Sequence, residues 1–439
     1  MKKAFLAVFF SMISGVVFAQ GIQNIQEPHP EAANISLVVD YDLHFTAASY
    51  SNLDYTLPNK ASDNIFAQYF SLNVIGKFSG NVEMSAKLAS YGSSGKHNGF
   101  FLMPYERNDS SVFLETAFLT YKNKGAVPFT VYAGKQEITH GDGLIIDGNN
   151  NGLFGVRGTS GVSDYVDLDL FIAKDGTRDV TVLGASAAIE IFPKIEIGIY
   201  QERNNSGFAY YKGIWSEANT PINHENKTFY DIRMSGGNSK YGYKIEAAKQ
   251  TGELVRTSSD TLEYDNFAFA FEGMWKGKIL KRDSNAKLLF SYANADGENS
   301  FNSSFSRRYD GVKRVGHGEL FAANNADSFL VLPEGYYGIN TVGAAFDIKP
   351  FGFLQTGLAF YLYSASDVGV EAGDAGFASL YGAKADLGNE IDFFAGYAYK
   401  EYFDVVFNFA VYTPPSNTKD VFQNADAAYL LQIEVSSKF

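Results

Sequence analysis

Residues 35–45 read "ISLVVDYDLHF". Ile35, Leu37, Val39, Tyr41, Leu43 and Phe45 are apolar, while Ser36, Asp40, Asp42 and His44 stand between them. Successive side chains of a β-strand point to opposite faces, so this period of two predicts a strand with one greasy and one wet face. The split recurs downstream: Ile195, Ile197 and Ile199 against Glu196 and Glu202, and Tyr241, Tyr243, Ile245 and Ala247 against Lys244, Glu246 and Gln250. Phe267, Phe269, Phe271 and Trp275 oppose Asn266 and Glu272, and Ile391, Phe393, Ala395, Tyr397 and Tyr399 oppose Asp392 and Lys400. Strands of a soluble sandwich usually run to about five or six residues. These segments reach about ten, the span a tilted strand needs to cross a bilayer.

The connections point the same way. "FSGN" at 78, "FPK" at 192, "GGNS" at 236, "KPFG" at 349 and "LGN" at 387 read as tight turns. They take turns with long polar segments at 92–110, 203–226, 293–336 and 401–423. Such asymmetry predicts periplasmic turns and longer external loops. Counting segments from Ile35 gives about 18 strands, an even number that leaves both ends on the periplasmic side; 112–122 and 405–412 fit least well, with apolar residues on both faces. An open sheet edge in hydrocarbon would leave backbone groups unpaired at several kcal/mol each, so closure is required. The expected fold class is all-β, a single transmembrane antiparallel β-barrel over 35–439. Tyr41, Tyr292, Tyr363 and Tyr399 are expected in its aromatic girdles.

The chain starts with Lys2 and Lys3, an apolar run and Val17-Phe18-Ala19, predicting a signal peptide over 1–19 cleaved after Ala19 and a periplasmic segment over 20–34. No later stretch is apolar for the 18 or so residues of a spanning helix. The last strand, "YLLQIEVSSKF", ends on Phe439, resembling the C-terminal signal that the barrel-insertion machinery reads. Outer-membrane residence in a Gram-negative-type bacterium follows, with the lipid as a partner.

With no Cys among 439 residues, disulfides, thiolate metal sites and a Cys nucleophile are excluded. Formal net charge is −13; loss of Lys2 and Lys3 makes it −15, which argues against nucleic acid as a partner.

Residues 133–158, "AGKQEITHGDGLIIDGNNNGLFGVRG", invite a metal or a catalytic reading. Asp147-x-Asn149-x-Asn151-Gly152 matches the first half of a calcium loop, but the twelfth position is Gly158 where a bidentate Glu is needed. His140 with Asp142 suggests acid/base chemistry, yet there is no G-x-S-x-G or H-E-x-x-H, and the six His residues show no ligand spacing. No metal, cofactor or enzyme activity is expected. "THGDGLIIDGNNNG" reads as an external loop between the fifth strand, "FTVYAGKQEI", and the sixth, "LFGVRG".

The same stretch carries a family resemblance. Gly134-Lys135-Gln136-Glu137, then Gly141-Asp142-Gly143, then Gly155-Val156-Arg157 resembles the G-R-Q-x(4)-G-D … D-G-x-R signature of the alginate-export family of outer-membrane barrels. Lys135 replaces the usual Arg, and Phe154 stands where the family tends to have Asp. The resemblance implies an 18-stranded barrel that exports an anionic polysaccharide.

Lys135, Glu137 and Arg157 are expected to project into the lumen, because Lys or Arg facing lipid near the midplane costs about 2–4 kcal/mol. The other expected inward cations are Lys87, Arg233, Lys244, Lys287 and Lys384. The expected inward acids are Asp40, Asp42, Glu83, Asp167, Asp169, Glu196, Asp231, Glu246, Glu272 and Asp386 as well as Glu137. This balance leans acidic and favours a porin-like channel passing small hydrophilic solutes, constricted by the segment 293–336. Exopolysaccharide export is the alternative within transport, to which a basic cluster at a constriction would tilt the balance. A surface adhesin or receptor is the alternative of another class.

Overall fold

The computed structural model describes residues 36–438 apart from 53–61, 79, 95–108, 126, 142, 148–151, 175–179, 205–207, 212–213, 218–223, 258–259, 297–298, 302–319, 321–335, 369–384, 400–402 and 416–425. The signal peptide, the 20–34 segment, Asp142, Lys384 and Phe439 therefore lie outside the described residues.

Eighteen strands form one antiparallel sheet, and the first, Ser36–Ser51, pairs with the last, Ala428–Lys438, to close the barrel. Every other wall contact joins neighbours in sequence, from Ser36–Ser51 with Ser62–Lys77 through to Phe403–Thr413 with Ala428–Lys438. Backbone groups thus find partners around the whole circumference, as a hydrocarbon surround demands. No helix among the described residues is long and apolar enough to cross a membrane; the strands make the crossing.

The outer surface follows from the period of two. Phe70, Ile197, Ile199, Tyr230, Ile232, Leu288, Leu358, Phe360, Ile391 and Ile433 are exposed, and cross-strand register places them on one face. Two strands broke the pattern for identifiable reasons. In Asp109–Asn123 the register shifts between Lys87 and Leu88 of the neighbouring strand, so one residue, Glu115, is extra. The parity therefore flips: Val112 and Leu114 point outward before the bulge, Leu119 and Tyr121 after it. In Phe403–Thr413 the inward residues Ala410 and Tyr412 are fully buried, so the interior there is itself apolar.

Three expectations need correction. "LGN" at 387 does not reverse the chain: it lies inside the strand Ala385–Tyr399, where Gly388 takes a left-handed φ of 92° beside a register shift. The reversal into Phe403–Thr413 falls between Tyr399 and Phe403, so the expected loop 401–423 is mostly strand at its start. Tyr363 is no girdle residue; it points inward, 2% exposed, and donates to Glu390 Oε2 at 3.1 Å.

Candidate functional site

The chain leaves the wall after the strand Phe129–Gln136 and rejoins it at Leu153–Ser163. The intervening segment is not an external loop. It folds into the barrel, where Ile138, Leu144 and Ile146 have no exposure and Ile145 has 2%. They pack with Phe171, Val180, Val182, Tyr200, Phe229, Ala248, Ala268, Ala293 and Phe301. Burying each such side chain stabilises by about 1.5–3 kcal/mol, which an external position would forgo. The segment carries its own ladder, Thr139 opposite Asp147 and His140 opposite Ile146. Its turn closes through Gly143 N–H to the His140 carbonyl at 3.2 Å. Gly141, at φ 61°, is required twice over: the backbone is left-handed, and a Cβ would sit 2.2 Å from Glu246 Oε1. Among the described residues of the segment 293–336, Phe301 and Leu320 are fully buried; Phe301 meets Phe229 edge-on at 5.8 Å.

His140 sits at the tip of this inward segment, 5% exposed, although its stretch was expected to be an external loop. Its ring stacks on Phe171 with centroids 5.1 Å apart and lies 5.3 Å from Tyr200. Nε2 approaches Asp169 Oδ2 at 3.7 Å, and Nδ1 approaches Glu196 Oε1 at 3.9 Å. Each carboxylate has its own arginine. Arg157 donates through Nε and Nη2 to Asp169 Oδ2 at 2.9 and 2.5 Å, and Arg233 Nη1 lies 3.8 Å from Glu196 Oε2. The order Arg157, Asp169, His140, Glu196, Arg233 spans four wall strands and pins the segment between them. Each arginine offsets part of the desolvation of the carboxylate it faces.

The pinned segment borders two cavities. A cavity of about 670 Å³ is lined by Arg157, Arg233, His140, Lys122, Lys194, Asp167, Asp169, Glu190 and Glu196 and lies toward the end bearing the short turns. A second, about 660 Å³, is lined by Asp40, Asp42, Lys87, Gln136, Glu137 and again Arg157. Arg157 thus stands between the two, 5.9 Å from the Tyr132 ring.

Register assigns the remaining candidates. Lys87, Asp167, Asp231, Arg233, Lys244, Glu246 and Lys287 share the inward face. Lys87 is held by Glu115 at 3.0 Å, whose other oxygen accepts from Tyr69 at 2.8 Å; Lys287 pairs with Glu272 at 3.1 Å. Asp231 and Glu246 are buried, the latter against Gly141. Lys135 was expected in the lumen and is not there. It pairs with Ala117 and Phe154, on the same outward parity as exposed Leu119, so it stands outside the wall with its Nζ 5.8 Å from the Phe154 ring. Asp386, also expected inward, is exposed at the bulge and accepts from Gly388 N–H at 2.8 Å.

The motif's other positions are structural. Gly134, at φ 134°, lets the neighbouring strand approach so closely that a Cβ would lie 2.3 Å from the Ala117 carbonyl oxygen. A Cβ at Gly155 would lie 2.1 Å from the Ile172 carbonyl oxygen, and Gln136, buried, donates to the Gly155 carbonyl at 3.3 Å. Among the described residues no group of three or more His, Asp or Glu side chains is arranged to hold a metal. Sequence reading missed the apolar inner wall. Its signal was Phe171 and Tyr200 sharing the parity of Asp169 and Glu196.

No curated protein matches the chain significantly. Among solved structures it is similar in fold to Pseudomonas aeruginosa OprD, with TM-score 0.54 at 10% identity over 91% of this chain and 95% of that one. Pseudomonas aeruginosa OccK5 (OpdH) gives 0.55 at 10% over 92% and 98%, and Acinetobacter baumannii OccAB4 gives 0.52 at 10% over 91% and 98%. The molecule is an outer-membrane channel of the porin and alginate-export structural class, a transport barrel and not a member of a catalytic family. A family model described as alginate export matches residues 35–427, so every wall strand but the last, the inward segment, Arg157 and Arg233 fall within that match and the chain belongs to the alginate-export family.

Proposed function

We propose that this channel carries an anionic polysaccharide of the uronate type out through the outer membrane. The observation that carries the reading is the alginate-export match over 35–427, which encloses the cavity beside the inward segment. In that cavity Lys122, Arg157, Lys194 and Arg233 interleave with Asp167, Asp169, Glu190 and Glu196. Lys124 lines it too, so five cations face four carboxylates there, where the inward-facing residues as a whole lean acidic. A carboxylate on a passing sugar would exchange with Asp169 or Glu196 for a guanidinium already fixed in place. Such exchange binds the polymer strongly enough to enter and weakly enough to leave, as conduction requires. His140 holds the segment that narrows the path, and Phe171 and Tyr200 support its ring.

The test is planar-bilayer recording with the full-length protein. Anion-favouring reversal potentials and interruption of the current by oligouronates support the reading. A cation-favouring channel indifferent to oligouronates overturns it. One observation favours a second reading, passive passage of small hydrophilic solutes: the segment Ile138–Ile146 fills part of the lumen, leaving spaces of some 660–670 Å³. That reading expects steady conductance steps that small neutral solutes reduce by volume and that oligouronates leave unchanged.

A further inference from the structure

Lys135, unneeded in the lumen, belongs to a row on the outside of the wall. Register joins it to Phe154, Phe154 to Lys174, Lys174 to Thr181, and Thr181 to Arg203. These five residues are one continuous rung across five strands, and side chains on a rung share a face. The face is the lipid-facing one, since Phe154 is 51% exposed and Ile199, on the parity of Arg203, is 47% exposed. The rung lies at the ends of the strands Phe129–Gln136, Val166–Lys174 and Lys194–Asn204 away from the short turns, where their outward apolar run stops. That is the level of the outer headgroups.

Neighbouring strands are about 4.8 Å apart, so Lys135 and Lys174, and again Lys174 and Arg203, are separated by about 10 Å at the backbone. Lys135 Nζ donates to the Leu114 carbonyl at 3.0 Å, the carbonyl beside the bulge, which leaves two of its donors for another group. Arg203 Nη2 donates to Gln201 Oε1 at 2.9 Å, which holds the guanidinium flat along the outer face. From Phe129 to Gly237 no described residue on the outward face of a wall strand carries a carboxylate; the next are Glu253 on the strand Tyr241–Thr257 and Glu263 and Asp265 on the strand after it. Lys135, Lys174 and Arg203 are thus the charged members of the rung, three cations at headgroup level facing lipid.

We propose that this rung binds the phosphate groups of an anionic glycolipid in the outer leaflet, with the acyl chains lying on the apolar face below it. The repeat of about 10 Å suits a lipid whose two phosphates stand at opposite ends of a disaccharide headgroup, one between Lys135 and Lys174 and one between Lys174 and Arg203. The site is on the opposite side of the wall from the lumen and does not depend on what the channel carries.

The test uses the full-length protein in detergent, titrated with diphosphorylated lipid A or with the same lipid stripped of phosphate, and read by native mass spectrometry. Each basic residue near an anionic lipid surface contributes roughly fivefold in binding, so Lys135→Gln, Lys174→Gln and Arg203→Gln together should weaken retention of the phosphorylated lipid on the order of 100-fold. The single-channel conductance of this triple variant should match the parent, which also reports that the barrel has formed. If the triple variant does not insert, Lys174→Gln alone should lose roughly fivefold. Equal binding of the dephosphorylated lipid by the parent protein overturns the proposal, as does undiminished binding of the phosphorylated lipid by the variants.

Discussion

Arg157 and Lys135 stand on neighbouring strands, and their surroundings could hardly differ more. Arg157 looks inward, forked onto Asp169 and bordering two cavities. Lys135 looks outward, one donor on a carbonyl and its stem along Phe154. Both are cations of the same short motif, so residue type does not separate them; strand parity does. Lys135 pairs with Phe154, while Arg157 pairs with Tyr132, three residues earlier on the strand of Lys135. An odd offset sends two side chains to opposite faces. A charge at the end of a strand is tolerated outside because its stem lies on the greasy wall while the head reaches the headgroups.

The comparison can be broken or sharpened by substitution, beginning with the segment that gives the inner side its character. Ile146→Asp would place a carboxylate where exposure is zero, a cost of several kcal/mol that the segment escapes by leaving the lumen. Single-channel conductance should rise twofold or more, and an unchanged value would mean that Ile138–Ile146 does not narrow the path. Next is Glu115→Gln at the bulge, which leaves Lys87 and Tyr69 without their shared carboxylate; breaking so buried a pair costs about 3 kcal/mol. Urea unfolding should show the loss as a lower midpoint at unchanged slope.

Arg157→Gln removes a charge-assisted fork worth roughly 1.5–3 kcal/mol locally, with a small effect on the barrel as a whole. Its readout is selectivity: the reversal potential in a salt gradient should move toward cations, because Asp169 and His140 lose the neighbouring positive charge. The smallest expected effect is that of Lys135→Gln, which should leave that reversal potential within error. If Lys135→Gln moved it as far as Arg157→Gln does, the outward assignment would be wrong.

Much of this molecule was readable before any coordinates. The alternation in "ISLVVDYDLHF" and its repeats carried the barrel and its closure, and the strand count of about 18 matches the wall. Of the motif residues, Gly134, Gln136 and Gly155 proved to pack on one another, while Gly141 and Gly143 shape the turn of the inward segment. What could not be read were the places where one residue changes the parity. Glu115 flips the faces of Asp109–Asn123, and the shift at Leu387–Gly388 turned an expected chain reversal into a bulge. Lys135 was misassigned for a related reason: the rule that charges avoid lipid holds at the midplane and fails at the rim, and sequence alone does not give depth.

Period-two alternation is a local property, because each side chain's face follows from its neighbours along the chain, and it was enough to determine strands, outer surface and the closed sheet. The direction taken by "THGDGLIIDGNNNG" is not local. Its polar, glycine-rich letters fit water on either side of the wall, and only the apolar patch assembled from Phe171, Val182, Tyr200 and Phe229, four separate strands, gives Leu144, Ile145 and Ile146 a place to be buried. That patch exists only once the barrel has formed, so the inward fold of the segment, the burial of His140 and the meeting of Arg157 with Asp169 were decided by tertiary structure.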